Sequence, residues 1–384
     1  MPRRTFGAEE LALVKEVLDS GKLSGLGGGQ VTPRFEREFA AALGAKHGVA
    51  MNSAMSVLHA SVLSAGAGAG DEVICDSVFV FGAVATMYAN AVPVFVDVGP
   101  VTLNMNPDFV EAKITGRTKA IIVTHGYGLV AQMDRISEIA GKHGLLVIED
   151  CAHALFATYK GRYAGTWGGV GSFSFQMSKQ LGLGDGGMAV TDDEALAKKL
   201  ALHACAPTFL SVAHGLHYNY RMTEQTAAIG LAQLKRARGY IEGLRANARL
   251  YDQAADGCSW LRIQRAPEAM HSYLNWVCTF AGDEKGLSLD DFKRVAKEVG
   301  LGVGIGYTQM PAYKHPLIAQ RLGHGRGCPL DCPHYAGSGN RYPDGLCPVA
   351  ERVIPRILTC ATFIAEDACK ANADKLRRVI EKLG

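Results

Sequence analysis

From about residue 47 onward one rhythm recurs in the sequence: a short apolar run, a turn, then a stretch whose apolar residues fall at helical spacing. "VICD" (73–76), "PVFVDV" (93–98), "KAIIVTHG" (119–126) and "LLVIEDCAH" (145–153) read as strands, and "MDRISEIAGKHG" (133–144) between two of them reads as a helix. Strands that alternate with helices pair in parallel and need cover on both faces, so the pattern demands an α/β fold around a mostly parallel sheet. In such sheets ligands gather at the carboxyl ends of the strands. That selects Asn52, Ser53, His125, Asp150 and His153, together with the stretch "GSFSFQMSKQLGLGDGGMAVTDD" (171–193).

The 384 residues suggest a large domain over residues 1–245 and a smaller C-terminal α+β domain over 246–384, joined by a long helical pattern at 223–255. The smaller part carries the strand-like "YLNWVCTF", the helical "LDDFKRVAKEVG" and a charged helix ending at Gly384. A net charge of +3 gives no basic field for counterion release, so we expect no nucleic-acid partner. No apolar run approaches the roughly 20 residues a membrane span requires. The opening "MPRRTFGAEELALVKEVLDSG" lacks the apolar middle of a signal peptide, and the ten cysteines are scattered, so we expect a cytoplasmic protein with reduced thiols.

Lys179 stands between an alternating run and a cluster of glycines. "GLGDGG" (182–187) matches G-x-G-x-x-G only formally, because it precedes a strand-like "MAVT" where a dinucleotide site needs a helix. A lysine here can be a solvated cation, a phosphate anchor or a nucleophile that forms an imine with a carbonyl; the last needs a disfavoured charge and a nearby electron sink. Pyridoxal phosphate (PLP) is such a sink. It calls for a lysine at its aldehyde, an acid at its ring nitrogen, an apolar face and a phosphate cup. Asp150 can supply the acid, and His153 can lie over the ring, although a helix cap explains Asp150 equally well. Ser53 and the amides of Ala54 and Met55 open a helical pattern that can face an anion, or simply cap a helix. Ser174 can add a hydroxyl.

These segments, in this order, resemble the DegT/DnrJ/EryC1/StrS family of PLP-dependent aminotransferases, which act on nucleotide-linked keto sugars and keto cyclitols. The resemblance rests on "LSGLGGGQVTPRFEREFA", "KHGVAMNSAMSVLHA", "GDEVI", "PVFVDV", "VIEDCAHA", "GSFSFQMSK", "GDGGMAVTDD", "NYRMTEQTAAIGLAQL" and "CPVAERV". It implies the aspartate-aminotransferase-like architecture of fold type I. It also implies Lys179 as the lysine bound to the cofactor, Asp150 as partner of the pyridine nitrogen and His153 beside the ring. Ser53, Ala54, Met55, Ser174 and Gln176 then belong to the cofactor site, with Phe79, or else Phe81, covering the ring. Asn219 of "NYRM" matches an asparagine that reaches the phosphate from a neighbouring subunit, which implies a homodimer with shared active sites.

The chain also departs from the family. Ala54 and Met55 stand where the family often has Gly-Thr, and "CDSVFVFGA" replaces a proline and aromatic segment. Gln176 stands where many sugar-modifying members carry histidine, a likeness to the cyclitol and aminohydroxybenzoate branch whose amino donor is glutamine. Lys179 argues against the dehydratases, which carry histidine instead. The resemblance therefore implies transfer from glutamine or glutamate to a keto cyclitol of the inosose type in secondary metabolism, or to a nucleotide-linked keto sugar. A PLP-binding regulatory protein without transfer, and a cofactor-independent binding protein, are the other readings. In "HGRGCPLDCPHYAGSGNRYPDGLC" the cysteines have no C-x-x-C spacing, so we expect a loop with buried thiols and no metal site; Tyr307, His315 and Tyr335 nearby are candidates for substrate contacts.

Overall fold

The computed structural model describes residues 4–205, 216–335 and 342–384. Part of the Cys- and Gly-rich segment singled out above, residues 336–341, lies outside the described residues. The chain opens with helices α1 (Ala8–Ser20) and α2 (Val31–Leu43), strand β1 (His47–Met51) and helix α3 (Ala54–Ser64). It continues through β2 (Glu72–Asp76), α4 (Phe81–Tyr88), β3 (Val92–Val96), β4 (Thr118–Thr124), α5 (Met133–His143) and β5 (Leu146–Asp150). The short strands β6 (Thr158–Tyr159) and β7 (Arg162–Tyr163) precede β8 (Val170–Ser174), β9 (Gly187–Thr191), α6 (Glu194–Ala204) and the 31-residue α7 (Glu224–Ala254).

Seven strands form one sheet in the order β1-β9-β8-β5-β4-β2-β3, in which β9 alone runs against the rest. The expected parallel sheet is therefore present, and its registers align the carboxyl ends, with Thr124 beside Asp150 and Asp150 beside Ser172. Side chains alternate between two apolar layers as the pleat requires. Along β4, Ile121 and Val123 enter the layer beneath α2, α5 and α7, while Ala120 and Ile122 enter the layer beneath α3 and α4. A run that is apolar at every position is thus a strand buried on both faces.

A four-stranded antiparallel sheet follows, from β10 (Leu261–Ile263), β12 (Asn275–Phe280), β13 (Gly304–Ile305) and β14 (Ile357–Ala361), in the order β10-β12-β14-β13. Between the first two, β11 (Ala269–Met270) returns to pair with β6. Helices α8 (Leu289–Val299) and α11 (Glu366–Leu383), with the end of α7, enclose a separate apolar cluster around Trp276, Phe280 and Phe292. The short α9 (Pro316–Ala319) and α10 (Pro348–Val353) belong elsewhere: Tyr313, Ile318 and Val353 pack into the layer of α3 and α4. Two of the recognised segments also meet. Glu224, at the start of α7, accepts hydrogen bonds from the N–H groups of Val31 (2.7 Å) and Thr32 (3.2 Å) and so caps α2.

Candidate active site

Four phenylalanines anchor the loop that carries Lys179. Phe173 and Phe175, on and just after β8, pack against Phe39 with ring centroids 5.2 Å apart, and Phe175 also meets Phe35 at 5.5 Å. Beyond that base, Phe175 and Gly186 pair across the hairpin (N···O 2.8 Å), and the Lys179 N–H donates to the Gln176 carbonyl at 2.8 Å. The Gln176 side chain closes the turn by accepting from the Ser178 N–H (2.7 Å) and hydroxyl (2.6 Å). Gly187, where β9 begins, is there for contact: a Cβ would lie 2.4 Å from the Ser53 carbonyl carbon. Gly187 thus lets the hairpin press against the start of α3.

The resulting cleft, of about 410 Å³, is lined by Ser53, Ala54, Met55, Asp150, Ser174, Gln176 and Lys179 among the expected residues. Sequence reading missed Leu58, Ala152, Ser178, Asp185 and Gly186 in the same lining. Ser53 caps α3, its Oγ accepting from the Ser56 N–H at 3.1 Å, and it also borders the cleft. The first N–H groups of α3, at Ala54 and Met55, have no acceptor within the helix and point out of its positive end.

Lys179 is half-buried, and burial lowers its pKa, opposed by the charge of Asp150. Asp150 is buried, and desolvation raises its pKa against the Ala152 N–H (3.1 Å), Lys179 and His125. His153 is also buried and held well below the ordinary histidine range, first by desolvation and then by Lys179. Its Nδ1 accepts from the Tyr127 N–H at 3.2 Å, which leaves the proton on Nε2.

Of the other candidates, His153, Phe79, His315, Tyr335 and Asn219 lie outside the lining, while Phe81 and Tyr307 belong to it. Phe79 is buried, edge-on to His153 (5.5 Å), Tyr127 (5.4 Å) and Tyr307 (6.2 Å), whereas the exposed Phe81 borders the cleft. Tyr307 also lines it, but His315 caps α9, and the buried Tyr335 donates its hydroxyl to Glu72 at 2.6 Å. Asn219 is exposed, on a segment tied to α3 by the Asn52 N–H and Tyr220 carbonyl (2.7 Å). Cys332 and Cys347 are buried thiols in an apolar layer.

The arrangement fits PLP on its own chemistry. A buried carboxylate that accepts one backbone N–H invites a ring cation, free helix amides invite a phosphate, and a half-buried amine invites an aldehyde.

Comparison with known proteins agrees. The model of the DegT/DnrJ/EryC1/StrS aminotransferase family matches residues 4–331. The spore coat polysaccharide biosynthesis protein SpsC of Bacillus subtilis is 35% identical over 336 residues, covering 83% of this chain and 85% of that protein. GDP-perosamine synthase of Caulobacter vibrioides is 41% identical over 232 residues, 59% of this chain and 62% of the synthase. Among solved structures, S. venezuelae DesV in complex with a ketimine intermediate is 28% identical, with a TM-score of 0.82 over 97% of this chain and 94% of DesV.

Proposed function

The chain belongs to the DegT/DnrJ/EryC1/StrS family and is a PLP-dependent aminotransferase of fold type I; from that premise we propose that it moves an amino group from glutamine or glutamate to a ring ketone, with Lys179 as its proton carrier. The observation that carries the residue assignment is the half-buried Lys179 amine held in the field of the buried Asp150 carboxylate.

When bound, PLP supplies an aldehyde that captures amines and a ring that accepts the electron pair left by deprotonation. Asp150 keeps the ring nitrogen protonated: its burial makes an unpartnered charge costly, so a cation at Oδ is strongly favoured. With the cofactor bound, the free Nζ of Lys179 would take the proton from the donor carbon and return it one position along. Its lowered pKa puts the free amine within reach at lower pH than an exposed lysine would allow. The Nε2–H of His153 would be available to an oxygen on the ring, and Ser53, Ser174 and the Ala54 and Met55 amides would hold the phosphate. Asn219 stands exposed to serve a second copy's cleft, and we propose a homodimer on that ground.

For the acceptor, the part of the cleft not assigned to the cofactor sets the Asp185 carboxylate beside the apolar and aromatic surfaces of Leu58, Phe81 and Tyr307. Hydroxyls suit such a wall better than phosphates, which favours a keto cyclitol. The second reading, a nucleotide-linked keto sugar, is favoured by the 41% identity to GDP-perosamine synthase. The test follows the visible absorbance of the cofactor-loaded protein as glutamine or glutamate is added, then each class of ketone. Bleaching by the amino acid and recovery with an inosose supports the cyclitol. Recovery only with a nucleotide-linked keto sugar selects the second reading, and no bleaching by either donor removes the transfer proposal.

A further inference from the structure

A second cleft, of about 400 Å³, lies where α7 passes the 264–273 segment, and it shares no lining residue with the Lys179 cleft. Three guanidiniums line it, from Arg245, Arg249 and Arg265, against one carboxylate, Asp252.

The three differ in how far they are committed. Arg245 is fixed: its guanidinium donates to the carbonyls of His271 (2.9 Å) and Phe156 (3.1 Å) and pairs with Glu242. Among the described residues Arg265 pairs only with Asp252, at 3.6 Å, and that same carboxylate oxygen already accepts from the Trp276 indole at 2.8 Å. Arg249 follows Arg245 by one turn of α7, where like charges repel, and has no hydrogen-bond or ion-pair partner among the described residues. The floor is His271, its ring stacked on Tyr273 at 3.9 Å. Burial, aided by Arg245, holds that histidine down at about 3, so it adds no charge of its own.

Guanidiniums offer paired donors that match phosphate oxygens, and two uncommitted ones facing a common space match a dianion. We propose that this cleft binds a small phosphate-bearing anion, free or as an ester, at a site separate from the reaction centre.

The wall of the cleft continues into the catalytic region. The amide of Gln264, which also contacts His271 at 3.1 Å, donates to the Gly126 carbonyl at 3.2 Å. Ser272 donates to the His153 carbonyl (3.1 Å), and so does Gln180, the residue after Lys179 (2.6 Å). The contact is tight: at Gly128, with φ of +108°, a Cβ would lie 2.6 Å from Ser272 Oγ and 2.8 Å from the His153 oxygen. The 264–272 segment thus borders both this cleft and the backbone at His153.

The test is calorimetric titration of the cofactor-loaded protein with inorganic pyrophosphate at low salt, for the parent chain and for Arg249→Gln/Arg265→Gln. With the phosphate cup filled by the cofactor, saturable binding is expected at one site per chain, weakened at least roughly tenfold in the double variant, a loss of about 1.4 kcal/mol. The cofactor's absorbance in the double variant reports that the Lys179 cleft is intact. No saturable heat in the parent chain overturns the proposal. Unchanged affinity in the double variant overturns it too, since the anion then sits elsewhere.

Discussion

Glu149 and Asp150 are neighbours on β5, both buried, and they point to opposite faces of the strand. On one side the Glu149 carboxylate collects four N–H donors: His125 Nε2 at 2.8 Å, and the backbone of Gly165 (2.8 Å), Trp167 (2.7 Å) and Gly168 (2.7 Å). On the other, Asp150 accepts, among the described residues, from the Ala152 N–H alone and feels Lys179 and His125 only through space. Equal burial thus produces two kinds of carboxylate. The satisfied one ties β4, β5 and the 165–168 turn together; the undersatisfied one is left with binding capacity for a cation that arrives from outside. The buried group short of partners is the one to suspect of chemistry.

Substitutions on the two sides should separate these roles. The largest expected effect is on the cleft side: Lys179→Ala should cut transfer on the order of 10⁴-fold, the upper range for a positioned acid–base group, and abolish the visible band of bound cofactor while leaving the denaturation midpoint nearly unchanged. Glu149→Gln should act in the opposite sense. Its NH₂ would face donors, two N–H groups would lose their acceptor, and urea unfolding should register a loss of roughly 3 kcal/mol. If activity per folded molecule fell instead, with stability intact, the division between the faces would be broken. Asp150→Asn comes third, with a drop in turnover of roughly 10²-fold from the lost charge at the ring nitrogen and little change in stability. A large destabilisation by Asp150→Asn would mean that it, too, is a strut.

How much of this was legible in the sequence follows from the same strand. The apolar run "LLVIED" announces β5 because a strand buried on both faces has no polar alternation to hide. Asp150 is legible as the polar residue that ends the run at a carboxyl edge. Glu149 was passed over, since its four donors come from residues 125 and 165–168, which only the fold brings to one point. The signal available was an acid one position inside an apolar run, where its side chain had to be buried and therefore bonded. Phe79 and Phe81 are hard to tell apart for a related reason: residues two apart in a turn face different surroundings, and periodicity stops where the strand does, so only the fold shows that Phe81 borders the cleft. The second cleft was illegible altogether, because Arg245 and Arg249 share a helix but Arg265 reaches them only after the chain has left α7 and formed β10.

A third carboxylate sharpens the comparison with the smallest effect. Asp76 ends β2 as Asp150 ends β5, and its Oδ1 accepts from the N–H groups of Val78 (2.9 Å) and Phe79 (2.8 Å), so it is more satisfied than Asp150 and less than Glu149. Burial pushes its pKa up to about 6, and the charge of Asp150 adds to that rise. Between its ordinary value of 3.8 and about 6 the folded chain keeps a proton that the unfolded chain has released, so this group's contribution to stability falls as pH rises through that window and is flat above it. Asp76→Asn keeps the acceptor for both N–H groups and removes the titration. Unfolding at pH 4 and pH 7 should therefore differ less in the variant than in the parent, by on the order of 2 kcal/mol. Asp150→Asn should lower the upper end of the window, because one of the causes of the raised pKa is gone. If the window stayed where it was in Asp150→Asn, the two strand ends would not share a field, and the intermediate standing of Asp76 would rest on its hydrogen bonds alone.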